Sequence, residues 1–207
     1  NTRVGADGFF NTDGPKGIFT EDEIYEEAYK ISQKFVDIVR GSGGNNKYRH
    51  LLIPGNETSI RKACDKRFKM PEDIAENGKS KLSVSVHIYD PRGYGLTATA
   101  AKDNSKGDVD AEKTEYEYPF NVDEDSYGEY RDTWGTEANK IYFEDGTETD
   151  DKTYLRDYMK QVEKFTSQGY GVIAGECGVV KAYKDNIIDY LDYYFDLCKE
   201  FHITPVL

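Results

Sequence analysis

The sequence predicts an α/β fold with parallel strands, and three observations carry that reading. Segments with helical apolar spacing alternate along the chain with short apolar runs of strand length. The chemically unusual residues fall in turns that follow those runs. The chain also holds 17 Tyr, 10 Phe and one Trp, a load of aromatic side chains that argues for a packed core despite a mean hydropathy of −0.78.

The first helix is read over 21–40, where Ile24, Ala28, Ile31, Phe35 and Ile38 form a stripe. Thr20, followed three residues later by Glu23, is a capping box, and Gly41-Ser42-Gly43-Gly44 closes the element. His50-Leu51-Leu52-Ile53 is a short strand closed by Pro54-Gly55. Residues 82–89 alternate with β-branched positions and read as a second strand. A helix spans 152–168 through Leu155, Tyr158, Val162 and Phe165, ending at Gly169. Tyr170 to Ala174 is a third strand, 183–201 a helix on Ile187, Leu191, Tyr194 or Phe195, and Cys198, and Ile203 begins a last strand.

Between Asp103 and Asp151 stand 17 acidic residues against four basic ones, so this stretch accounts for the whole net charge of −12. It also holds eight aromatics, among them Trp134, and reads either as a solvated insertion or as a substrate-facing excursion. We treat 95–150 as an insertion within one domain spanning 1–207. So acidic a chain disfavours nucleic acid and anionic membrane surfaces as partners. No apolar run approaches the length of a spanning helix. The start at Asn1 without Met and the stop inside an apolar run suggest a piece of a larger protein. The three cysteines are widely spaced and form no zinc pattern, and no glycine-rich nucleotide loop follows a strand.

Glu176 is the foremost candidate for chemistry. It follows an apolar strand in Val172-Ile173-Ala174-Gly175-Glu176-Cys177-Gly178, where an unpaired carboxylate has to lie at the rim of the sheet. Flanking glycines let the chain turn and a ligand approach, although an ordinary turn glutamate fits the same spacing. His87 and Tyr89, two apart at the end of the second strand, share one face and can project into one pocket. A neutral imidazole and a phenol there can orient a carboxylate without exchanging protons; a structural histidine fits equally well. Trp134 either stacks on a sugar face or packs in a core. Asn56-Glu57-Thr58 fits the glycosylation sequon, a triplet that also arises by chance.

Taken together, these strand-end motifs resemble glycoside hydrolase family 5, the retaining cellulases and related β-glucanases. Val84-Ser85-Val86-His87-Ile88-Tyr89-Asp90-Pro91 is similar to that family's sixth-strand motif, and Ile173-Ala174-Gly175-Glu176-Cys177-Gly178 to its seventh. Phe35 to Asn46 with Arg49 to Gly55 resembles its fourth helix and fifth strand, and Ile203-Thr204-Pro205-Val206-Leu207 its eighth strand. The details are most similar to the subfamily of endo-β-1,4-glucanases, xyloglucanases and lichenases.

The resemblance implies the second half, about strands five to eight, of a (β/α)8 TIM barrel, with the acidic insertion after the sixth strand. It implies a retaining endo-β-1,4-glucanase acting by double displacement, with Glu176 as nucleophile and His87, Tyr89 and Trp134 around the substrate. No cofactor and no metal are implied; calcium in the acidic insertion is disfavoured because no spacing there matches a known loop. The expected partners are a β-glucan and a complementary chain supplying the first half of the barrel; the expected location is secreted or cell-surface. Asn1-Thr2-Arg3 matches only the tail of the family's Asn-Glu-x-Arg acid/base motif, with Asn1 where the Glu belongs. Either the acid is replaced or the chain is cut at the motif. The competing reading is a non-catalytic carbohydrate-binding protein on a glycosidase scaffold that has lost its acid/base.

Overall fold

The structure, a computed structural model, describes residues 20–73, 80–95, 133–136, 140–142, 147–179 and 185–206. The insertion read over 95–150 thus lies mostly outside the described residues, as do Asn1 to Arg3. The chain divides into two compact units: residues 1–88, 159–176 and 198–207 form the first, and 89–158 with 177–197 the second.

The first unit opens with α1 (Glu21–Gly41). Its capping box is formed as expected: Thr20 N donates to Glu23 Oε2 at 2.7 Å, and Glu23 N donates back to the Thr20 hydroxyl at 3.3 Å. β1 (Leu51–Pro54) and α2 (Ile60–Cys64) follow, then β2 (Leu82–Ile88). After the second unit's elements come α5 (Glu163–Thr166), β5 (Gly171–Cys177) and β6 (Ile203–Pro205). The four strands form one sheet in the order β1-β2-β5-β6, with β1–β2 and β5–β6 paired parallel. The order never reverses, so the sheet lacks the switch point of a doubly wound fold and winds in one direction, as a barrel wall does.

The two faces of this sheet differ in chemistry. Leu51, Ile53, Leu82, Val84, Val86, Ile88, Val172 and Ala174 are all buried, and Val36 of α1 packs with Leu51, Ile53 and Leu82. The alternate residues Leu52 and Pro54 stand in register with Ser83 and Ser85 on the other face. Gly171 lies against Ser83, and Gly175 against Ser85 and His87, so those glycines share that second face and β2 and β5 meet start to start and end to end. One face is therefore apolar and covered, the other small and polar.

Two expectations need correction. On α1 the buried residues are Ile24, Tyr25 and Val36, while Ile31, Phe35 and Ile38 are 54%, 44% and 59% exposed. Spacing alone finds apolar residues on one side of a helix; it does not say which side meets the sheet, and here a second apolar stripe faces outward. The helix read over 152–168 is interrupted, with α4 (Asp151–Lys160) ending before α5 begins at Glu163. Asn56, the sequon asparagine, is only 7% exposed, in a turn where Glu57 and Thr58 take φ of 52° and 56°.

Lys164 closes this unit from α5. Its ammonium donates to the carbonyls of Ala63, Asp65 and Phe68 at 3.3, 2.7 and 3.3 Å, satisfying groups left open where α2 ends. Arg40 and Asp73 form a nearly buried ion pair with two hydrogen bonds, at 2.8 and 2.9 Å.

The second unit contains α3 (Arg92–Gly95), the antiparallel pair β3 (Lys140–Tyr142) and β4 (Glu148–Asp150), most of α4, and the larger part of α6 (Ile187–Glu200). Asp150 caps α4, accepting from Lys152 N at 3.0 Å and Thr153 N at 2.9 Å. The core of this unit is aromatic, with Trp134 against Tyr94, Tyr190 and Tyr193 at centroid distances of 6.0, 5.0 and 6.0 Å.

Candidate active site

β2 and β5 each carry their reactive residue one place before the strand's end: His87 on β2 and Glu176 on β5. Their side chains meet, His87 Nδ1 standing 3.1 Å from Glu176 Oε2. Burial holds the His87 imidazole below its ordinary pKa, with the Glu176 charge pulling the other way. A neutral ring with its hydrogen on Nδ1 donates it to the carboxylate, which when ionised can only accept. The glutamate side chain stays 55% exposed, so one oxygen is oriented while the group remains open to solvent and substrate. An oriented, accessible carboxylate is equipped for nucleophilic attack.

Of the residues singled out from sequence, the structure brings His87 and Glu176 together. Tyr89 falls in the second unit, one residue beyond the end of β2, and is half-buried. Trp134 is 1% exposed among tyrosines, and Asn186 Nδ2 donates to its carbonyl oxygen at 3.1 Å. A ring so enclosed presents no open face to a sugar, so of its two possible roles the structure shows the packing one. Burial pushes the Cys64 thiol up to about 11, and its Sγ faces the Gln161 carbonyl at 3.2 Å. Among the described residues no group of three His, Cys, Asp or Glu side chains is placed to hold a metal.

Two features escaped the reading of the sequence. Asp90 is buried, with Tyr154 OH donating to its Oδ1 at 3.2 Å and Tyr190 OH to its backbone carbonyl at 3.0 Å. Ser85 and Gly175 lie beside His87. The alternation Ser83, Ser85, His87 could have signalled the shared face of Ser85 and His87; nothing local signals the buried state of Asp90.

A parallel sheet wound in one direction defines an α/β protein of the barrel-wall type, with the His87–Glu176 pair at the carboxyl edge of the sheet. The model of the cellulase family, glycosyl hydrolase family 5, matches residues 15–207, and the chain belongs to that family. It is 35% identical over 96 residues to a xyloglucan-specific endo-β-1,4-glucanase of Bacteroides ovatus, covering 46% of this chain and 18% of the relative. It is 28% identical over 163 residues to endoglucanase A of Paenibacillus barcinonensis, covering 75% of this chain and 33% of the relative. Among solved structures, a broad-specificity endoglucanase from an uncultured bovine rumen ciliate superposes with a TM-score of 0.61 at 26% identity, over 88% of this chain and 44% of the other. The chain thus spans less than half the length of these relatives.

Proposed function

We propose that this chain forms the second half, about strands five to eight, of a (β/α)8 barrel whose complete form is a retaining endo-β-1,4-glucanase. The observation that carries the reading is the 3.1 Å contact between His87 and Glu176 at neighbouring strand ends in a chain of this family. The outward stripe of Ile31, Phe35 and Ile38 supports it, as does exposed Leu52 beside Ser83 on the sheet's polar face: both are surfaces that a further part of the barrel wall would cover.

In this mechanism the Glu176 carboxylate attacks the anomeric carbon as the bond to the leaving oxygen breaks, giving a covalent glycosyl-enzyme. A second carboxylic acid delivers its proton to the leaving oxygen. It then takes a proton from water, which attacks the same carbon and releases Glu176. In a complete barrel that second acid would come from the first half, at the Asn-Glu-x-Arg motif of which Asn1-Thr2-Arg3 matches only the tail; an acid replaced at Asn1 would leave the carbohydrate-binding reading. His87 holds one Glu176 oxygen throughout, and the family resemblance gives Tyr89, one residue beyond the end of β2, a substrate-binding role. The acidic stretch read as an insertion within 95–150 would form an excursion after the sixth strand. A β-glucan is the substrate class, and an enzyme for such a polymer works secreted or at the cell surface.

Full-length protein incubated with soluble xyloglucan and mixed-linkage β-glucan should release new reducing ends with retained anomeric configuration. Binding of either glucan without turnover would replace this reading with that of a carbohydrate-binding scaffold.

A further inference from the structure

Two consecutive residues of β5 flank the His87 ring. Its Nδ1 edge meets the Glu176 carboxylate at 3.1 Å. Its opposite edge lies over Gly175: a methyl group built there would stand 3.8 Å from both Cδ2 and Nε2 of the ring, and 2.9 Å from Ser85 Oγ. Gly175 is not among the glycines with positive φ, so a side chain there is opposed by space and not by backbone conformation, first of all by the Ser85 hydroxyl. Ser85, two residues before His87 on the same strand face, is fixed in place by its carbonyl, which accepts from Gly55 N at 2.8 Å just past the end of β1.

We propose that Gly175, with Ser85 below it, is a positioning site for the His87–Glu176 pair: the bare α-carbon of residue 175 is the seat on which the imidazole lies while residue 176 takes its hydrogen bond. This deepens the proposed role of Glu176 and rests on it. A methyl group at 175 collides with the serine hydroxyl and only touches the ring. A branched side chain reaches one bond further and occupies the ring's place. The two substitutions therefore separate contact with Ser85 from displacement of His87.

In the full-length protein, Gly175→Val should lower kcat on soluble β-glucan about 100-fold, the cost of misplacing a catalytic group by roughly an ångström, with KM changed by less than about threefold. The His87 imidazole, followed by NMR across a pH series, should titrate higher in that variant, as a ring released into solvent does. Gly175→Ala should give a smaller loss, and adding Ser85→Gly should restore most of it, since the clash partner is gone. Unchanged kcat and unchanged His87 titration in Gly175→Val would overturn the proposal, as would a Gly175→Ala loss that Ser85→Gly fails to relieve. If circular dichroism shows Gly175→Val unfolded, the alanine variant with and without Ser85→Gly decides by the same criteria. If the parent protein hydrolyses no β-glucan, the glucanase reading falls. The His87 titration in the same variants then still decides the seat: a rise supports it and an unmoved midpoint refutes it.

Discussion

Glu176 and Asp90 are two acids with the same address in sequence, each just inside or beyond the end of a strand and followed within two residues by Pro or Gly. Their surroundings are opposite. Glu176, in the first unit, keeps more than half its side chain in solvent and rests one oxygen on an imidazole. Asp90, in the second, is 1% exposed, with a tyrosine hydroxyl on its carboxylate and another on its carbonyl. A carboxylate enclosed in a core is closed to a substrate, whereas one with more than half its side chain in solvent is reachable. The contrast separates an acid placed for reaction from an acid spent on architecture.

The most severe way to break that contrast is to alter Glu176. Glu176→Gln keeps the volume and removes the nucleophilic charge, so β-glucan hydrolysis should fall by about 10³-fold or more. Unfolding free energy should stay within about 0.5 kcal/mol, as for an exposed position; undiminished hydrolysis would remove Glu176 from the mechanism. Trp134→Ala should do the reverse, costing about 3–5 kcal/mol in denaturant unfolding because a buried indole is deleted. A loss of glucan affinity with stability intact would return Trp134 to the substrate. Asp90→Ala leaves the buried Tyr154 hydroxyl without its acceptor and should cost about 1–3 kcal/mol. If it abolished turnover at full stability, Asp90 would belong with Glu176 after all.

The smallest effect is in pH. The His87 pKa is depressed on folding, so between its folded value and the ordinary 6.5 the unfolded chain binds the proton and the folded one does not. Its contribution to stability is therefore present above 6.5 and fades as pH falls through that window. His87→Gln should flatten this part of the stability curve, read by thermal unfolding at stepped pH.

Much of this was legible because the signals were local. The Thr20–Glu23 cap and the strand alternation from Leu82 to Ile88 each need only a few consecutive residues to specify them. The meeting of His87 with Glu176 followed from both lying at ends of strands in a parallel reading. What was misread depended on partners remote in sequence. Ile31, Phe35 and Ile38 have the spacing of a buried face, yet Val36 and Ile24 are the residues that meet cover. Trp134 stands in a polar stretch, and its burial comes from Tyr94 and Tyr190, about forty and more than fifty residues away. Composition reports neither fact.

The enclosed Asn56 has a bearing on how the protein is made. An asparagine accepts an N-linked glycan only while its amide is reachable, and in the folded chain it is not. In a host that glycosylates nascent chains, folding and modification at Asn56 are competitors. A chain that folds first is closed to the sugar, and a chain modified first has no room to tuck that side chain away. Yield in such a host should be a race, recorded in the mass of whatever fails to fold.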